Sequence, residues 1–208
     1  MKKFTFSIAS IIFLSLVTYN IAFAQLEDIS VGANAGLAIP IGDFASVTKG
    51  GATMGFGGGL HAKRVVDEKL TVGLDFSYFS FGGTDIADPI SSSSTKTTYS
   101  IIPISVFAQW YLTTEGFRPF VGLDLGYYMQ TWKSDVTVSM FGINTTTPNV
   151  LTFNKVGVAA FVGGAYPLNE QIDVFGDLKY HYITEAIAGA GPFSFIGVEV
   201  GVDYKFGE

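Results

Sequence analysis

The stretch Phe195–Phe206 constrains the fold more than any other part of the chain. Ile196, Val198, Val200, Val202, Tyr204 and Phe206 alternate with Gly197, Glu199, Gly201, Asp203 and Lys205. A period of two is that of a β-strand, because successive side chains point to opposite faces. One face is wholly apolar and ends in two aromatics, while the other holds only glycine and charge. A strand with lipid on one side and a polar lumen on the other has this composition.

The same alternation recurs through the chain. Strands are predicted at 29–39, 52–63, 70–81, 99–112, 117–129, 150–166, 172–184 and 195–206. Pro103 cannot donate to a ladder and predicts a bulge or a strand end. The connections at 40–51, 82–98 and 130–149 are long, those at 64–69, 113–116 and 167–171 are short, and 185–192 is intermediate. Eight strands with this parity predict an all-β, antiparallel, up-and-down transmembrane barrel with both termini in the periplasm. Runs of this length suit strands of ~9–11 residues tilted across a bilayer. The loops near Ser92 and Thr146 then lie outside the cell, and the turns near Glu68 and Asn169 in the periplasm.

A soluble eight-stranded barrel of the lipocalin type has the same alternation with the faces inverted. Glycine placement separates the two. Gly32, Gly36, Gly57, Gly73, Gly122, Gly157 and Gly201 all fall on the polar face. Facing water they would weaken the strands; facing inward they make room for larger neighbours.

The N-terminus is read as a cleaved secretory signal peptide, residues 1–24. Lys2 and Lys3 precede the mostly apolar Phe4–Val17, and Ala22-Phe23-Ala24 is an A-x-A cleavage site. Cleavage would leave residues 25–208 as one barrel domain. The apolar run is shorter than the ~20 residues that a spanning helix needs.

Composition excludes several classes. The chain has no cysteine, so no disulfide framework or thiolate metal site is available. Charged residues are only 14%, with a mean hydropathy of +0.38. The formal net charge is −6, and loss of Lys2 and Lys3 makes the mature chain more acidic still. No nucleic-acid partner is expected of such a chain, because that binding rests on neutralised phosphates.

The segment Gly32–Phe44, the Gly55-Phe56-Gly57 stretch and the final strand resemble small bacterial outer-membrane β-barrel proteins of the OmpA-like or OmpX-like class. Glu199, Gly201, Tyr204 and Phe206 are similar to the C-terminal signal that such barrels present to their insertion machinery. The resemblance implies localisation in the cell outer membrane, with outer-membrane lipid and the barrel insertion machinery as partners and a monomeric barrel. The chain stops at Glu208 after the barrel, so the C-terminal peptidoglycan-binding domain of OmpA-like proteins, and its activity, are not expected.

No catalytic, cofactor or metal site is predicted. An acyl hydrolase needs Ser, His and a carboxylate in mutual reach. His61 and His181 are the chain's two histidines, expected at opposite ends of the barrel. The inward face carries Asp75, Asp124, Asp173, Asp177, Glu199 and Asp203, with Lys63, Lys179 and Lys205 as partners. These predict a polar network filling a bore that eight strands leave just wide enough for side chains. A hairpin centred near Gly189 puts Lys179 opposite Glu199 and Asp173 opposite Lys205. The hydroxyl-rich, charge-poor tips Ser91–Ser94 and Thr145–Thr147 remain as a surface for binding. The function expected is therefore a non-enzymatic envelope-structural or loop-binding role. A lipid-modifying enzyme and a narrow solute channel are the alternatives.

Overall fold

The computed structural model describes residues 28–49, 51–88, 93–140, 143–184 and 191–206. The expected leader, the tip Ser91–Ser92 and the loop 185–190 around Gly189 lie outside the described residues. The strands are β1 (Ile29–Ile41), β2 (Ala52–Val65), β3 (Leu70–Gly83), β4 (Ile86–Asp88), β5 (Ser93–Tyr111), β6 (Arg118–Met140), β7 (Ile143–Pro167), β8 (Ile172–Ile183) and β9 (Phe193–Phe206). Eight of them form an antiparallel ring. β9 pairs with β1, and β3 pairs directly with β5, so each barrel strand has two neighbours. The short β4 pairs with the end of β5, outside the ring. Closure satisfies the backbone groups that hydrocarbon cannot.

The faces are those of a membrane barrel. Leu123 and Val200 are each 67% exposed, while Asp203 is fully buried and Asp173 nearly so. A soluble barrel would show the reverse. Two aromatic girdles bound the apolar band. Tyr78, Tyr127, Tyr180 and Tyr182 ring one end, and Trp110, Phe117, Tyr166, Tyr204 and Phe206 the other. On the first girdle, the Tyr78 hydroxyl lies 3.1 Å from Ser100 Oγ. Phe117 and Tyr127 sit at opposite girdles, ten residues apart along the chain. On a tilted strand that spacing spans the ~25 Å of a typical apolar band.

The short connections are tight. Leu168 N–H donates to Ile172 O at 2.8 Å, and Asn169 Oδ1 accepts from the N–H groups of Gln171 and Ile172. The long connections differ from expectation. Residues 93–98 continue β5, and 130–140 and 143–149 continue β6 and β7 as one hairpin, in register from Tyr111↔Phe120 and Arg118↔Ala165 to the tips. From Tyr127 to Met140 this ribbon runs roughly 40 Å at about 3.3 Å per residue. Its β5 and β7 arms are rich in threonine and show no apolar alternation, whereas the β6 arm does alternate, Val136 and Val138 against Asp135 and Thr137, a signal that the long-loop reading passes over.

Pro103 also differs from expectation. β5 stays in register with β6 through Pro103↔Tyr128. Toward β3 the pairing lapses between Phe79↔Ile101 and Phe76↔Ile104 and then resumes in the same register. The missing N–H therefore interrupts one ladder without a bulge.

Inside, large rings lie over glycines on adjacent strands. A Cβ on Gly122 would come 2.1 Å from Phe161 Cζ, and one on Gly201 would come 2.4 Å from Phe175 Cζ. The Gly122→Phe change is expected to abolish folding into detergent or bilayer, read as loss of the heat-modifiable gel band. Leu123→Arg, on the lipid face next door, should cost about 2–4 kcal/mol in reversible unfolding from lipid vesicles. Tolerance of both changes would mean that the faces are inverted.

Candidate functional site

The bore is arranged in tiers. At the short-turn end, Asp203 accepts from Lys63 and also faces His61, whose Nε2 lies 2.6 Å from Asp203 Oδ1. Asp173 is held by Arg118 from β6 and by Lys205, whose Nζ lies 2.8 Å from Asp173 Oδ1 as a charge contact. Both carboxylates are buried, and each is met by two basic side chains. That is the condition for carrying charge in a poorly hydrated interior.

The next tier is acidic. Lys179 Nζ lies 2.7 Å from Asp124 Oδ2 and 5.2 Å from the centroid of the Phe161 ring, reaching past β7. Glu199 Oε2 accepts from Asn34 Nδ2 at 2.8 Å, and Asp75 Oδ1 from Ser77 Oγ at 2.8 Å. Asp75, Asp177, Lys179 and Glu199 line a cavity of about 40 Å³ together with Asn34, His61 and several rings. That volume suits a small guest such as water. Among the described residues no group of three or more His, Asp or Glu is placed to hold a metal ion.

The β8–β9 register corrects the expected pairing. Asp173 faces Asp203, Asp177 faces Glu199 and Lys179 faces Gly197. Lys179 is therefore not opposite Glu199, nor Asp173 opposite Lys205. The alternation of faces permits shifts of two residues, and a two-residue slip leaves every side chain on its own face. The actual hairpin pairs Ile183 with Phe193, so its centre lies one residue before Gly189. Arg118, at the first position of β6, is the cation that sequence reasoning missed. It shares the parity of Phe120, Gly122 and Asp124, so alternation points it inward, but its place beside Pro119 at the strand's start drew no attention to it.

Beyond this tier the bore turns aromatic. His181 Nδ1 lies 3.0 Å from the Tyr128 hydroxyl, and its ring stacks on Phe195 at 4.2 Å. Further out, Phe79, Phe81, Tyr99, Ile101, Ile183, Phe193 and Phe195 form one buried cluster with Phe44 from the β1–β2 loop. The inward polar residues of the sequence reading thus occupy the half nearer the short turns. The other half is a core of rings that the polar reading did not foresee.

The last strand places the four residues expected to form a C-terminal signal on two faces. Glu199 faces the bore, where it meets Asn34, and Gly201 shares that face, packed beneath the Phe175 ring. Tyr204 and Phe206 face outward at the short-turn girdle, with their rings 5.2 Å apart and edge to face.

Losing Lys179 alone strands a buried carboxylate. Lys179→Met should cost about 3–5 kcal/mol, and Lys179→Met with Asp124→Asn should recover most of it. The urea midpoint of the detergent-folded protein measures both. Equal midpoints for the two variants would remove the pair.

Solved structures of similar shape share the architecture at low sequence identity. Neisserial surface protein A is 18% identical over 86% of this chain and 97% of its own, with a TM-score of 0.55. A major outer membrane protein from Thermus thermophilus is 13% identical over 86% and 99%, with a TM-score of 0.54. The outer membrane protein OprG from Pseudomonas aeruginosa is 16% identical over 88% and 98%, with a TM-score of 0.50. No match is found among curated proteins. Residues 9–206 match the family described as outer membrane protein beta-barrel domain. With nearly the whole chain matched and its apolar face turned outward, this protein belongs to that family and is an integral protein of the outer membrane.

Proposed function

We propose that this protein is a non-enzymatic, monomeric barrel with a closed bore, and that its working surface is the ribbon formed by the outer ends of β5, β6 and β7. The observation that carries this reading is the length of the β6–β7 hairpin, which stays paired to Met140↔Ile143, well past the Tyr127 girdle. A barrel that served only to fill the membrane would need no such extension. The ribbon's exposed residues include Val136, Val138, Val150 and Leu151, and the Thr137 and Thr146 hydroxyls bond across it at 2.9 Å. It is a stiff sheet with an apolar and hydroxyl-bearing surface, suited to contact with another molecule outside the cell.

Two features support the closed bore. The ionic tiers fill the half nearer the short turns, and the ring cluster fills the other. The non-enzymatic reading is supported by the histidines. His61 Nε2 faces a carboxylate and His181 Nδ1 a tyrosine hydroxyl, neither of them a serine. On this reading Glu199, Gly201, Tyr204 and Phe206 are presented to the insertion machinery before the barrel closes.

Cysteines placed singly at Thr147 and Asn169 test the orientation, since the chain has none of its own. An impermeant maleimide on whole cells should label Thr147→Cys, and label Asn169→Cys only after lysis. The reverse pattern would put the ribbon in the periplasm and end the proposal. In planar bilayers the purified protein should show no unitary conductance steps, and its absence from cells should leave lipid A acylation unchanged. Discrete steps would favour the channel, and an altered acyl pattern the enzyme.

A further inference from the structure

We propose that the outer end of the bore is a binding site for a small aromatic molecule bearing one group that both donates and accepts a hydrogen bond, with Phe44 as its built-in plug. Phe44 comes from a loop, yet it is fully buried. Its ring stacks on Phe193 at 4.7 Å and 20°, and meets Phe81 and Tyr99 edge-on at 5.1 and 5.4 Å. These walls hold a six-membered ring by its faces and edges, the arrangement aromatic pairs prefer. Three of the walls stand on barrel strands; the plug stands on the loop between them.

The loop is bounded by glycines in the left-handed region. It begins at Gly42 and ends at Gly51, with φ of +60° and +67°, in the region glycine enters at little cost. Between them Val47 is 63% exposed, and the Lys49–Asp43 bridge is solvent-facing. Phe44 is the loop's buried side-chain anchor, alongside backbone bonds from Ala52 N–H to Phe44 O and from Thr84 N–H to Gly51 O.

The second observation is a buried amide. Gln130 is the inward residue of β6 between Tyr128 and Trp132, and it is fully buried. Its Oε1 and its Nε2 both lack a hydrogen-bond partner among the described residues. His181 Nε2, a tier deeper, is also unpartnered. A core selected for packing alone would carry an aliphatic side chain here, because an unpaired buried amide is costly. Aromatic walls with a few convergent polar atoms are the make-up of a small-molecule site. An amide that can both give and take a hydrogen bond selects a ligand that does the same. It also rejects the isostere that lacks the polar group. This site is independent of the ribbon, so neither proposal depends on the other.

Trp132 reports on the site, being stacked on Phe193 at 5.2 Å and 14°. In a Trp110→Phe background it is the sole tryptophan, since the chain has two. Detergent-folded protein is titrated with phenol and with toluene, at matched free concentrations, and Trp132 fluorescence is followed. Phenol should give a saturable change. Phe44→Ala should tighten phenol at least tenfold, because the plug no longer competes for the binding-competent state. Adding Gln130→Leu to that variant should weaken phenol tenfold or more and leave toluene unchanged. Should Phe44→Ala not fold, Phe44→Leu takes its place with a smaller gain. No saturable phenol response in the plug variants would overturn the proposal, and so would a phenol affinity that Gln130→Leu leaves unchanged.

Discussion

Hydrocarbon offers no partner for a backbone N–H or C=O, and the rest of this structure follows from that. The ladder must close, so β9 returns to β1 and β3 joins β5. Closure with eight strands fixes a narrow bore, and a narrow bore cannot take a large inward side chain from every strand at one level. Rings and glycines therefore alternate around it. Phe161 takes the space that a side chain at Gly122 would need, Phe175 that at Gly201, and Phe107 that at Gly73. The glycines are spaces that neighbouring rings fill, and the outward apolar residues beside them bear the contact with lipid.

The same crowding decides how charge is arranged. Two pairs of carboxylates face each other across β8 and β9, Asp173 with Asp203 and Asp177 with Glu199. Like charges directly opposite are unfavourable, and the Asp173–Asp203 pair draws cations from other strands besides Lys205 of β9. Arg118 on β6 and Lys63 on β2 arrive from opposite directions around the ring. The ion pairs thus tie β8 and β9 to strands with which they share no ladder. Asp124, next to the Phe161 ring, is met by Lys179 across β7 in the same way. The polar tiers add bonds across the bore to the hydrogen bonds that run around it.

What the sequence disclosed and what it hid follow from where the solvent changes. Within the lipid band every strand has hydrocarbon on one side, so Val121, Leu123 and Leu125, or Val198, Val200 and Val202, declare the faces at sight. Inward residues such as Asp75, Asp124 and Glu199 were legible for the same reason. Pairing between them was not, because a two-residue slip preserves the faces and only the hairpin geometry tells 376 from 378 as the sum of partners Ile183 and Phe193. Above the girdle, Thr95 and Thr147 lie on paired strands in hydroxyl-rich runs where alternation carries no signal, while the Val136 and Val138 alternation around Thr137 is too short to stand out from a loop. Phe44 was hidden for a third reason: its burial depends on a loop folding inward, which no periodicity encodes.

Strand length then shapes the mouth of the barrel. β5, β6 and β7 rise far above the girdle of Tyr78, Tyr127, Tyr180 and Tyr182, whereas β1 and β8 end close to it, at Ile41 and Ile183. On β6 the inward face carries upward through Gln130 and Trp132 into the ribbon, because alternation continues without a break along a paired strand. The ribbon is therefore a wall on one side of the mouth, and its base is the Tyr99–Trp132–Phe153 group of rings. The opposite side has no such wall, and there the β1–β2 loop turns inward and sets Phe44 against Phe193. Phe193 in turn stacks on Trp132. One continuous row of rings thus links the loop on the low side to the root of the ribbon on the high side. Phe44 touches Tyr99 and Phe193, and both of these touch Trp132, where the ribbon leaves the barrel, so rings join the loop to the ribbon's root although no ladder connects them.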